Sequence, residues 1–198
     1  DYLLKPVTVQ KLQNIMQKLA LQLDQERKEK ENLKKLQEQV EENQAILRER
    51  LLFKLVVGAI SPTEAIEKGQ TLGFDLIARC YLIVILKIEL GDRTESYDYD
   101  EYQQIQSSVI ELVEKNPDIF VLKRDWGDLI LMMKGNTPEY LEEECDLLLE
   151  EIRLSVAKTR YKLTTGAKTS KKRIADIYQS FVEALVNMEY AVSENKTE

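Results

Sequence analysis

From Thr8 to about Val57 the chain has no Gly and no Pro, and its apolar residues recur in alternating steps of four and three. Counted from Leu12, the sites are Leu12, Met16, Leu19, Leu23, Glu26, Lys30, Leu33, Gln37, Val40, Gln44, Leu47 and Leu51. One heptad register runs the whole way. Its d positions are apolar except at Glu26, while its a positions turn polar at Lys30, Gln37 and Gln44. A repeat of this kind predicts a coiled coil, because a seam returning every 3.5 residues stays in contact only with another helix. A helix of this length would extend on the order of 70 Å, too long to lie on one small core. Polar a positions cost stability and fix register. They favour two strands, so the expected assembly is a homodimer through Leu12, Met16, Leu19, Leu23, Leu33, Val40, Leu47 and Leu51; the heptads alone do not set the orientation of its helices, which is expected to be parallel from the architecture below. The seam should be softest across Asp24 to Asn32, where almost nothing is apolar.

Beyond the long helix the period changes. Ser61-Pro62-Thr63-Glu64 is a helix start, with Ser61 as cap and Pro62 in the first turn; Gly73 closes that helix. Cys80 to Leu90 is a near-continuous apolar run, the pattern of a strand buried on both faces. A helix follows from about Tyr99 to Lys115, and then a hairpin from Asp118 to Lys134 turning at Trp126-Gly127. Thr137-Pro138 opens a helix to about Lys158, and Tyr161 to Lys168 is a fourth strand. The last helix presents Ile174, Ile177, Tyr178, Phe181, Leu185 and Met188 inward. Without the first and last helices the order is β-α-β-β-α-β, the split ferredoxin-like motif. The fold class expected is α+β: a long N-terminal helix followed by an antiparallel sheet with helices.

Composition narrows the chemistry. The net charge of −7 gives no general reason to expect nucleic-acid binding, and 43% hydrophobic residues suffice for a globular core. No run approaches the length of a membrane span, and no signal peptide is visible. The absence of His removes the commonest zinc ligand and catalytic base. Cys80 and Cys145 sit in apolar patterns without metal-site spacing and are expected to be buried thiols of a cytosolic protein.

Two segments resemble known families. Asp1 to Val7, DYLLKPV, resembles the tail of a response-regulator receiver domain, in which a switch aromatic stands three residues before a Lys and a Pro follows. Tyr2, Lys5 and Pro6 match those places. The resemblance implies that residues 1–7 close a receiver domain and that residues 8–57 continue its last helix as the coil. Phe74 to Val192 resembles the degenerate GGDEF-like domain that lies between receiver and AraC-type DNA-binding domains in some response regulators. Ser180, Phe181 and Ala184 fit the pattern of its closing helix. Residues 58–192 would form that domain and 193–198 a polar tail. A sensor histidine kinase and DNA would then be partners only through domains absent from this chain.

Diguanylate cyclases, which that second resemblance brings in, hold two metal ions with acidic groups at the end of the first strand and in the hairpin. Aligned on the hairpin, Trp126, Gly127, Asp128 and Leu129 fall on the Gly-Gly-Asp-Glu signature, so Leu129 replaces an acidic ligand. Lys87 falls about where a metal-binding Asp would stand, with Glu89 two residues on. A cation there repels Mg²⁺, so no catalysis, metal or cofactor is expected.

Other features have plainer readings. Asp125 and Asp128 suit a tight turn, and Trp126 is expected to fold back on its own sheet. Lys162, Lys168, Lys171, Lys172 and Arg173 are expected to form a solvated loop and helix start. The leading functional expectation is a non-catalytic signalling region of a transcription regulator, the coil carrying a change of packing between its neighbours. A small-molecule sensor on a dead cyclase fold and a purely structural dimeriser are the alternatives.

Overall fold

A computed structural model describes residues 9–91, 96–124, 128–167 and 169–194. Tyr2, Lys5, Pro6, Trp126 and Gly127 lie outside the described residues. The chain divides into two units, Asp1–Leu47 and Arg48–Glu198.

Helix α1 spans Val9–Val56. Its first unit is solvent-facing: Met16, Leu19, Leu23, Leu33, Val40 and Leu47 are all about half exposed or more in the single chain, between 49% and 64%. Leu12 lies on the same helix, with its side chain outside the described residues. Leu51 departs from the expected seam. It is 5% exposed and packs with Leu52, Leu55 and Val56 in the core of the second unit. The heptad continues through it in sequence, but its methyl groups are covered by its own chain, so the exposed stripe ends at Leu47.

The second unit carries α2 (Pro62–Thr71), β1 (Cys80–Leu90), α3 (Tyr99–Val113), β2 (Ile119–Lys123), β3 (Asp128–Gly135), α4 (Pro138–Val156), β4 (Tyr161–Ala167) and α5 (Ile177–Glu194). The sheet order is β2-β3-β1-β4, and β1–β3, β1–β4 and β2–β3 are all antiparallel. Two crossover helices and this order make the ferredoxin-like arrangement that the β-α-β-β-α-β string implies. The fold is α+β.

Burial follows the period of two. Cys80, Leu82, Val84, Leu86 and Ile88 of β1 pack with Val109 of α3 and Leu141, Cys145 and Ile152 of α4. Tyr81, Ile83 and Ile85 point the other way, into a second core with the end of α1, α2 and α5. The sheet is thus covered on both faces, which is why β1 is apolar without alternation. The caps are those the sequence implies. The Ser61 hydroxyl accepts from Glu64 N at 3.3 Å and Thr137 from Tyr140 N at 3.3 Å, with Pro in the first turn of each helix. Asp98 caps α3 through Asp100 N and Glu101 N. Cys80 and Cys145 are buried free thiols, and burial pushes Cys145 up to about 12.

The inner face of α5 differs in one place. Ile177, Phe181, Ala184 and Met188 are buried, whereas Tyr178 is 51% exposed. Gly58, at φ +72°, brings the turn after α1 against the Tyr178 ring, which lies over the turn rather than in the core. The backbone of α5 lies close against Gly166, and the Ser180 hydroxyl accepts from Ile83 N at 3.1 Å.

Candidate functional site

The end of the sheet at the β2–β3 turn is where a cyclase-type site would be built. Strand register sets its members. Lys87 of β1 is the direct cross-strand partner of Asp128 on one side and of Thr164 on the other. Lys87 Nζ is 3.0 Å from Glu89 Oε2, two residues along the same face. Both side chains are partly exposed, so this pair contributes little to stability. Its consequence is electrostatic. An ammonium group occupies the middle of a row in which a divalent cation would need uncompensated carboxylates. Leu129, cross-strand from Leu86, is fully buried in the α3–α4 core. The position that would supply an acid is therefore committed to packing. Among the described residues no group of three or more Asp, Glu, Cys or His is arranged to hold a metal ion.

The corner is filled from the α3 side by aromatic rings. Tyr97, Tyr102 and Tyr161 form a chain with ring centroids 5.8 and 6.0 Å apart. Tyr102 is 4% exposed, its hydroxyl accepts from Gln106 Nε2 at 3.2 Å, and burial pushes its phenol up to about 12. Tyr161 donates to the Asp98 carbonyl at 3.1 Å, and Arg160 is 2.6 Å from Glu101. These contacts tie the start of α3 to β4. Sequence reasoning missed this cluster because the tyrosines share no single helical spacing; they converge only once α3 and β4 are adjacent.

Two cations of the basic run are held by carboxylates of α5 and the turn before it. Lys171 is 2.8 Å from Glu183 in a largely buried pair, and Arg173 holds Asp176 through two hydrogen bonds of 2.9 and 3.0 Å. Lys171 also exchanges two 2.7 Å backbone bonds with Tyr81. Lys171 is therefore a structural strap, while Lys162, Lys172 and Arg173 are exposed, as expected of a solvated stretch. Lys168 lies outside the described residues. Of the hairpin signature, Asp128 and Leu129 are described, and the Asp128 carbonyl accepts from Arg124 N at 3.0 Å.

The second candidate is the surface of α1. Besides the seam residues, Leu21, Leu36, Ile46 and Phe53 are exposed, between 42% and 63%. Leu36 stands one place from the seam and broadens it; Ile46 and Phe53 lie seven apart on another face. A count of a and d positions alone passes over them.

No protein-family profile and no curated protein matches the chain. Among solved structures, the diguanylate cyclase SiaD in complex with its activator SiaC, from Pseudomonas aeruginosa, is similar over 92% of this chain and 77% of that chain. The identity is 15% and the TM-score 0.47. No helix among the described residues is long and apolar enough to cross a membrane.

Proposed function

We propose that the chain is a non-catalytic dimerisation and signal-transmission region of a cytosolic two-component response regulator. In this reading its sheet domain is a degenerate GGDEF-like fold without cyclase activity. The observation that carries the proposal is the row of exposed apolar side chains from Met16 to Leu47 on one helix. Burying a Leu or Val of this kind is worth about 1.5–3 kcal/mol relative to exposure, so a second copy of the helix is the natural cover for a heptad-spaced row. The Lys87–Asp128 pairing and the buried Leu129 support the absence of metal-dependent chemistry. Tyr2, Lys5 and Pro6, through their resemblance to a receiver tail, support a receiver neighbour, and a sensor kinase and DNA enter through such neighbours.

Signal would pass as a change in how the two helices pair. Polar Lys30, Gln37 and Gln44 keep the seam only moderately stable, so a coupling of a few kcal/mol is enough to shift it. The test is a paired one. Leu33→Asp with Val40→Asp should give a folded monomer in sedimentation and abolish phosphorylation-dependent transcription in the intact regulator. A dimer that survives both substitutions refutes the interface. GTP turnover by the wild-type chain with Mg²⁺ refutes the non-catalytic assignment separately.

A further inference from the structure

Helix α4 buries one face in the core of the second unit, through Leu141, Cys145, Leu149, Ile152 and Val156. Its opposite face is not wholly polar. Tyr140, Leu147 and Leu154 stand seven residues apart and are 59%, 75% and 58% exposed. Seven residues turn a helix by about 700°, so each of the three falls within about 20° of one line, which runs about 21 Å along the helix. A single exposed Leu needs no explanation. Three large apolar side chains in line, on the face turned away from the core, add nothing to the packing of the domain itself.

Carboxylates border that line on both sides. Counted from Leu147 by the same rotation, Glu143 and Glu150 lie about 40° and 60° to one side, and Glu151 and Glu144 about 40° and 60° to the other. Glu143, Glu150 and Glu151 are exposed, and Glu144 accepts from Asn116 Nδ2 just past the end of α3. Among the described residues one cation pairs with this border: Arg153, 4.0 Å from Glu150, a loose contact between exposed groups. From Glu139 to Glu151 the helix carries seven carboxylates and no Lys or Arg.

The charge decides what can cover the line. A second α4 laid on this face would set glutamate against glutamate, and a nucleic acid or an anionic membrane surface would be repelled in the same way. An extended segment finds no strand edge here, because the backbone of α4 is bonded within the helix. Another helix matches. Its side chains meet a neighbouring helix every third and fourth residue, the rhythm that Tyr140, Leu147 and Leu154 keep. Its flanking positions face the glutamates, where Lys or Arg pairs with carboxylate and lays its methylene stem along the leucines.

We infer that the outward face of α4 docks a basic amphipathic helix of a partner protein, apolar along its centre and cationic on both flanks. The surface lies wholly in the second unit. It rests neither on the pairing of α1 nor on the absence of cyclase chemistry.

The probe is a 19-residue peptide, the length of α4, with Leu at the a and d positions of a heptad and Lys at e and g. Two controls accompany it, one of the same composition in scrambled order, the other with Glu in place of every Lys. Fluorescence anisotropy of the labelled peptides reads binding to the full chain. The basic helix should bind about tenfold or more tightly than either control. Leu147→Gln with Leu154→Gln should weaken it by about tenfold or more. Glu143→Lys with Glu150→Lys and Glu151→Lys should abolish its binding and admit the acidic helix instead. All five positions are exposed, and circular dichroism checks that both variants fold like wild type. The proposal is overturned if the basic helix does not bind, if a control matches it, or if either variant binds it like wild type. Self-association that falls in sedimentation with Leu147→Gln and Leu154→Gln, while peptide binding is unchanged, overturns it in favour of a second copy as the cover.

Discussion

Gly166→Ala is the sharpest test of how α5 is held to the sheet. A Cβ at this position would lie 2.3 Å from the Ala184 carbonyl oxygen, 2.8 Å from Met188 Cβ and 2.9 Å from Met188 N. Two of the three obstacles are helix backbone, so no rotamer change relieves the contact. The helix must retreat by roughly 1 Å to restore ordinary separations, which sits at the costly end of overpacking, about 3 kcal/mol. The retreat also strains two bonds that tie α5 to the sheet, from Ile83 N to Ser180 and from Asn187 to Ala167. Those add about 1 kcal/mol, and the smaller unfolded-state entropy of alanine returns about 0.7 kcal/mol. The net expectation is a loss of about 3 kcal/mol, hence a fall in Tm of about 6–12 °C for a domain of this size. The assay is urea and thermal unfolding followed by circular dichroism at one fixed protein concentration. Gly135→Ala is the control. Its Cβ would meet the tip of Leu141 at 3.2 Å, a side chain able to move, and should cost under about 1 kcal/mol. A Gly166→Ala protein as stable as wild type, or no less stable than Gly135→Ala, would refute the argument that α5 rests backbone-to-backbone on β4.

Three further outcomes follow from the same structure. If the seam pairs as proposed, Lys30→Leu should raise stability at a fixed concentration by about 1–2 kcal/mol, by replacing a polar core position; unchanged unfolding would remove Lys30 from the seam. Alkali should destabilise the second unit early. Tyr102 and Cys145 are both held near 12 in the fold by burial, above their unfolded values of 10.0 and 9.0. Their contribution is complete below about pH 9 and is lost as pH rises toward 12, because the unfolded chain releases those protons first. Tyr102→Phe should make that decline shallower above pH 10 while costing about 1 kcal/mol near neutrality, since Gln106 loses its acceptor; an identical pH profile would contradict the assignment.

Much of the second unit was legible from pattern. Ser61, Thr137 and the two Pro residues marked helix starts, and the unbroken apolar run of β1 marked a strand covered on both faces. Leu51 and Tyr178 were misplaced for one physical reason: a period says which residues share a face, not what that face meets. Leu51 stays in the heptad yet turns into its own core, and Tyr178 falls on the apolar side of α5 yet rides over Gly58. The Lys87–Asp128 pairing needed strand register, which no local pattern specifies. The tyrosine cluster depends on neighbours some sixty residues away in sequence, as between Asp98 and Tyr161, and so became visible only in three dimensions.

The account turns on whether the apolar row of α1 meets a second copy. Sedimentation equilibrium of the wild-type chain over a wide concentration range decides it. The expected result is a single dimeric species that dissociates on dilution. A monomer at every concentration, with the row from Met16 to Leu47 still facing water, would contradict it.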